Sequence, residues 1–280
     1  MRLLFLAPLS CVLAASPALA RDADAPLDLD RDSVTIGIGG VYMSDYEGAD
    51  HYGLYPLPAA IGSIGGYNFS VLGNRASVDL IRNRSGQTWD FQAGPLGVLN
   101  LNRDSRGDIQ DPQARALPKV PIALELGGFV GIGKTGVVTS PYDRISLSVS
   151  YRHDVTGVHD SAVVSPVFTY MTPFSRKTAA MVFVSAEHAG RGYMQRYFGI
   201  GPSGSMASGL PVYNARGGWK SWTAGLAGTV SISGDLLHGW KLVGGGSYSR
   251  ELGDAADSPL VRDVGSANQW IGALGVAYTF

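Results

Sequence analysis

The sequence is short of thiols, of charge and of long apolar runs, and each shortage closes off a class of protein. One cysteine, Cys11, occurs in 280 residues, which rules out a disulfide framework or a cysteine-built metal site. Charged residues make up 16% of the chain, well below the quarter or so usual in globular proteins. Lys and Arg number 22 against 23 Asp and Glu, a formal net charge of −1, and no basic stripe marks a nucleic-acid partner. Beyond the first twenty residues there is no run of about 18 apolar residues that could cross a membrane as a helix. What is plentiful is Gly, 38 residues, with 10% aromatics, a composition of many short strands and turns, as in a soluble sandwich or a membrane barrel.

The amino terminus, MRLLFLAPLSCVLAASPALA, carries one cation, Arg2, then a short apolar run broken by Pro8 and Pro17, then Ala18-Leu19-Ala20. This is the layout of a secretory signal, and cleavage after Ala20 is predicted. Cys11 lacks the Leu three residues earlier that lipidation needs; Pro8 stands there. Loss of Arg2 and of no acid moves the net charge from −1 to −2. Residues 21–32, RDADAPLDLDRD, are acidic and without aromatics, which predicts a flexible periplasmic segment ahead of one domain over 33–280.

Period-two alternation marks twelve segments: Val34–Tyr42, Leu57–Ile64, Tyr67–Leu72, Ala76–Arg82, Trp89–Leu99, Lys119–Ile132, Arg144–Asp154, Ser161–Met171, Thr178–His188, Trp219–Ser233, Trp240–Leu252 and Asn268–Phe280. Most reach the roughly 9–11 residues that a tilted strand needs to span a bilayer. Connectors alternate between short, as in NRSGQT, TPFSRK and SGDLLHG, and long and polar, around 101–117, 189–217 and 253–266. The expected fold is therefore all-β: a transmembrane antiparallel up-and-down β-barrel in a Gram-negative outer membrane, with twelve strands, or ten if the short segments in 56–82 merge. In RISLSVSYRH one parity is Ile145, Leu147, Val149 and Tyr151, and the other carries Ser where a soluble sheet would show Lys and Glu. Strand charges fall on the polar parity, which predicts that Asp79, Asp90, Glu125, Arg152, Lys241 and Glu251 point into the lumen, because outside they would face lipid. The closing run puts Trp270, Leu274, Val276, Tyr278 and Phe280 toward lipid. It is expected to seal the barrel against the first strand and to be the segment read by the assembly machinery.

Several patterns suggest chemistry that the context does not support. GFVGIGKT, Gly128 to Thr135, satisfies the phosphate-loop pattern, yet GVVTSPYDR and another strand follow, with no helix to supply the dipole. His153-Asp154, His159-Asp160, Asp50-His51 and Glu187-His188 are placed at one rim by the expected topology, without the spacing of a metal site. No nucleophile motif is present. No catalytic, cofactor-binding or metal site is expected, and the chain is read as a non-enzyme. A lumen of Ser, Thr and Gly with charges of both signs suits a narrow diffusion channel for small polar solutes.

YFGIGPSGSMASGLPVY (197–213) and SYSRELGDAADSPLVRDVGSANQWIGALGVAYTF (247–280) resemble the carboxy-terminal half of the MltA-interacting protein family, also called MipA/OmpV. The likeness extends more weakly through VYMSDYEGADHYGLYPLP, LELGGFVG and RHDVTGVHDS, and departs at Gly204, where the family often has Gln. The residues carrying it are Tyr197, Phe198, Gly199, Ser208, Gly209 and Leu210 in one loop and Gly253, Asp254, Ala255, Asp257, Ser258 and Pro259 in the other. The resemblance implies an outer-membrane barrel in contact with lipid. It further implies a scaffold joining a lytic transglycosylase to a murein synthase, the role of the founding member.

Overall fold

A computed structural model describes residues 32–82 and 88–280. The signal segment, nearly all of the acidic 21–32 segment and most of the NRSGQT connector lie outside the described residues.

Twelve antiparallel strands close into one barrel. The first six are β1 (Ser33–Ser44), β2 (Tyr52–Ile64), β3 (Tyr67–Leu72), β4 (Arg75–Val78), β5 (Trp89–Asn100) and β6 (Ala123–Thr135). The second six are β7 (Arg144–Asp154), β8 (Ala162–Pro173), β9 (Thr178–Ala189), β10 (Gly218–Ser231), β11 (Gly239–Glu251) and β12 (Asn268–Thr279). The two short segments within 56–82 do not merge, so the ten-strand count is excluded. Every strand pairs with its sequence neighbour, and β12 returns to β1 in a register running from Thr35↔Thr279 to Tyr42↔Gly272. Pairing of β12 with β1 closes the two end strands on each other, the condition for a sheet to live in lipid. At the seam Gly39 faces Gly275, and a Cβ on Gly39 would lie 2.5 Å from the Leu274 carbonyl oxygen.

The faces separate as alternation requires. In β12, Leu274 is 62% exposed on the outside while Ala277 is 5% exposed on the inside. Aromatic girdles flank the outer apolar band. Near one rim Trp222 meets Tyr248 at 5.4 Å and Tyr248 meets Trp270 at 4.8 Å; near the other Trp240 meets Tyr278 at 5.2 Å and Tyr278 meets Phe280 at 4.8 Å. Lys134 lies over the Trp89 ring at 5.0 Å, an ammonium kept at an interface while its stem follows the wall.

The rim carrying the start of β1, the end of β12 and the short turns is the periplasmic one by the general layout of outer-membrane barrels. The opposite rim carries the long loops, which contain five short helices: α1 (Pro112–Ala116), α2 (Arg191–Tyr197), α3 (Pro202–Ser208), α4 (Gly253–Ala256) and α5 (Pro259–Arg262). These loops are not the polar excursions expected of them. The largest fully buried apolar side chains belong to them, including Tyr193, Met194, Tyr197, Phe198, Ile200 and Leu260, and they fold inward as a packed cap.

The parity of β12 yields a direct test. Leu274→Arg places a cation on the lipid face and is expected to cost about 2–4 kcal/mol, whereas Ala273→Arg faces the interior and is expected to be better tolerated. The heat-modifiable folded fraction in purified outer membranes reads the difference; wild-type folding of Leu274→Arg contradicts the assigned faces.

Candidate functional site: a capped lumen and a fixed periplasmic rim

The cap is seated by α2. Its Tyr193 and Tyr197 stand one turn apart, and together with Met194 and Phe198 they put an apolar face onto Val120, Val163 and Val261. A second cluster joins Tyr46, Ile109, Leu117, Ile200, Leu210 and Leu260, so residues from four loops share the cap. Arg103, 5% exposed with φ +60°, props the long β5–β6 loop against α2: its guanidinium donates to the Tyr197 carbonyl at 3.0 Å and the Pro118 carbonyl at 3.2 Å. Burial pulls its pKa down to about 10. Burial pushes the Tyr193 and Tyr197 phenols well above their usual range, so both remain neutral.

Beneath the cap lies a chain of charges. Glu125 Oε2 accepts from Arg152 Nε at 2.5 Å; its Oε1 meets His159 Nε2 at 3.1 Å and Asn100 Nδ2 at 2.9 Å. Arg152 Nη2 donates to Glu187 at 2.9 Å. Lys220 Nζ bridges Glu187 at 2.8 Å and Glu47 at 2.7 Å, and the Tyr193 hydroxyl donates to Glu47 at 2.9 Å. That hydroxyl also accepts from Asn100 Nδ2 and from Lys220 Nζ, each at 3.4 Å. Asn100 is on β5 and Lys220 on β10, five places apart in a ring of twelve strands. One tyrosine therefore reaches across the barrel, and the lumen is closed at its outer end.

The six charges read from the sequence are all buried, in different company. Glu125 and Arg152 belong to the chain beneath the cap, and Glu251 ends β11 beside it. Asp90 pairs with Arg144 near the periplasmic rim, and Lys241 donates to the Thr279 hydroxyl. Asp79 corrects the expectation of a strand position: β4 stops at Val78, and the Asp79 carboxylate instead accepts from the Ile81 and Ala93 amides, both at 3.0 Å. Glu47, Tyr193 and Lys220 were not singled out. Lys220 is hidden by a bulge between Trp219 and Ser221, which turns two successive residues inward and breaks the alternation.

The family-like loop residues are structural parts of the cap. Gly209 ends α3 at φ +77°, and the Ser208 hydroxyl donates to the Gly204 carbonyl at 2.7 Å. Ser258 caps α5 and donates to the Phe198 carbonyl at 2.6 Å, tying the two motifs together. Ala255, Pro259 and Leu210 are buried. Asp254 holds Arg216 through its amide at 2.8 Å and its Nε at 3.2 Å, Asp257 donates its amide to the Gly253 carbonyl, and a Cβ on Gly199 would strike Gln195.

The rim histidines do not converge. His159 is committed to Glu125, His153 to the Asp154 carbonyl, His51 to Asp50, and His188 stands edge-on to Trp219. Among the described residues no group of three or more potential ligands is placed to hold a metal. The phosphate-loop pattern lies within β6, and the amides that follow it are already occupied: those of Val137, Val138 and Thr139 donate to Asp143 at 2.7, 2.9 and 2.5 Å. These donors hold the Asp143 carboxyl far below its usual range and pin the turn 136–143.

The interior is not uniformly polar. Ser146, Ser148, Thr169, Thr223 and Ser247 share the inward parity with Ile61, Leu72, Phe183 and Ile271. Leu72 and Ile61 are 53% and 49% exposed.

Residues 36–280 match the family model described as MltA-interacting protein MipA. The chain belongs to this family. It is an outer-membrane β-barrel. No curated protein matches the sequence. Among solved structures it is similar to the COG4313 outer membrane channel of Pseudomonas putida F1, at 11% identity and a TM-score of 0.45, over 93% of this chain and 98% of that one. It is also similar to the Pseudomonas putida toluene transporter TodX, at 8% identity and a TM-score of 0.35, over 93% and 91%. Acinetobacter baumannii OccAB3 matches at 10% identity and a TM-score of 0.37, over 86% of this chain and 59% of that one.

Lys220 is the member of the charge chain whose loss is most readily read. Lys220→Met leaves Glu47 and Glu187 facing each other without their shared cation. The expected cost is about 3 kcal/mol, at the low end for a broken buried pair because both carboxylates keep some solvent contact. Thermal unfolding in detergent measures it; an unchanged Tm contradicts the role given to Lys220.

Proposed function

We propose that this protein is a non-enzymatic outer-membrane adaptor that joins a lytic transglycosylase to a murein synthase at the periplasmic face of the membrane. Membership of a family named for interaction with the transglycosylase MltA supplies the partner class. The observation that carries the reading is a set of exposed apolar side chains on turns held by side-chain hydrogen bonds and an ion pair. Val137 and Val138 on turn 136–143 and Phe174 on the β8–β9 turn are exposed. The Thr139 hydroxyl meets those of Tyr170 at 2.7 Å and Thr172 at 2.9 Å, which fixes the first turn to the strand that leads into the second. The β8–β9 turn is held in addition by Arg176 and Asp235 at 3.2 Å. Apolar side chains on preorganised turns lose little entropy on docking.

The rival, a narrow diffusion channel for small polar solutes, needs a continuous water path. Tyr193, 1% exposed and bonded toward opposite walls, stands in that path.

The full-length protein in detergent, immobilised, is expected to retain a purified lytic transglycosylase. Val138→Asp combined with Phe174→Asp is expected to weaken retention about tenfold or more, the loss typical of central interface residues, with heat-modifiability unchanged. No retention by the wild type, or equal retention by the double variant, contradicts the proposal.

A further inference from the structure

The wall has one incomplete sector. β3 and β4 have 6 and 4 residues, whereas β2 and β5 on either side have 13 and 12. β3 pairs with β2 only over Ala59–Ile64. Tyr52–Pro58 therefore meets β1 along one edge and, among the described residues, no strand along the other.

The chemistry of that bare edge is particular. In an antiparallel strand the N–H and C=O of one residue point to the same side and alternate along the chain. Because the Gly73 amide donates to the Pro58 carbonyl at 2.9 Å, residues 52, 54, 56 and 58 present their backbone to the gap. Two of these are prolines, Pro56 and Pro58, which have no N–H to leave unpaired. The Tyr52 carbonyl accepts from Gln110 Nε2 at 3.4 Å. Unpaired donors are what a membrane penalises, and this edge has few.

The gap is also framed. Its sill is the turn Gly73–Asn74, tied to Leu99 by two hydrogen bonds of 2.9 and 2.6 Å. Its far post is the top of β5. Its roof is the segment from Leu101 to Gln110, whose amide donates to Asp45 at 3.1 Å. Leu54, Pro56, Pro58 and Leu99 are exposed on the outside. Inside, Leu57 lies across Gly73, where a Cβ would come within 3.1 Å of its Cδ1, and Leu72 presents a half-exposed side chain to the lumen. Apolar side chains thus flank the gap on both faces of the wall.

We infer that this framed gap is a lateral lipid site, in which an acyl chain of an outer-leaflet lipid enters the barrel and lies against Leu57 and Leu72. The occupant follows from position: the gap opens on the outer half of the membrane, where acyl chains are the molecules in contact with it. A chain lodged there covers apolar side chains that lumen water would otherwise touch, and it needs no donor from the bare edge. The inference goes beyond the adaptor reading and does not depend on it.

Cys11 is the only native cysteine, so adding Cys11→Ser leaves one thiol in each single-cysteine variant. The full-length protein is reconstituted in phosphatidylethanolamine vesicles with nitroxide on the acyl chains, and a small thiol fluorophore reports quenching. Leu72→Cys faces inward and Val71→Cys, its neighbour, faces outward; Ser148→Cys and Leu147→Cys form the same pair on a fully paired stretch of wall. Equal quenching is expected at 72 and 71, against several-fold weaker quenching at 148 than at 147. The same inward-to-outward ratio in both pairs overturns the inference. Quenching at 72 by free nitroxide-stearate alone, and not by the phospholipid, also overturns it, because the chain would then come from a free fatty acid.

Discussion

The outer end of this barrel depends on five charged side chains that share one largely dry space. Glu125, Arg152, Glu187, Lys220 and Glu47 alternate in sign, so each cation is held between two carboxylates. Four of the five rise from the wall and the fifth, Glu47, comes from a loop. Separately each would be costly to bury; together they offset that cost, but only in one geometry. The chain therefore fixes the position of Tyr193, and with it α2, in the middle of the lumen.

A barrel closed in this way is asymmetric. Its outer end is a protein core in miniature, built from loop residues, while its periplasmic end is a ring of short turns locked by local bonds such as those to Asp143. The middle has neither the continuous polarity of a pore nor the packing of a core, and half-exposed Leu72 and Ile61 belong to that middle. Closure above and exposed apolar side chains on held turns below fit a protein that works by presenting its periplasmic rim. Fold likeness to channels says little on the matter, since function resides in sites grafted on a fold.

Much of the architecture was legible in the sequence because lipid and lumen impose a strict period of two. β3 and β7 lie at the predicted residues, and most other strands fall within two residues of theirs. β2 begins five residues earlier than alternation suggested, because apolar Tyr55 and Leu57 on the inward parity stand beside Leu54 and Pro56 on the outward one and blur the period of two. β6 begins at Ala123 and not Lys119, since the apolar residues Val120 and Ile122 alternate only by chance and Val120 packs in the cap. The cap itself was missed: short helices in long loops leave only a few apolar residues, and Gly, Pro and Ser around them suggested solvent. The spacing of Tyr193, Met194, Tyr197 and Phe198, one helical turn, was the available signal. Lys220 was concealed by its bulge, and Glu47 gains its meaning only when β1 and β10 are brought into the same ring.

The central claim is that the cap, held by Tyr193 and the charges beneath it, closes the lumen. Single-protein conductance in planar bilayers tests it most directly, comparing wild type with Tyr193→Gly combined with Tyr197→Gly, which removes the two rings that fill the outer end. Closure predicts no unitary steps for the wild type and discrete steps for the double variant. Steady unitary conductance of the wild type, unchanged in the variant, would contradict the account.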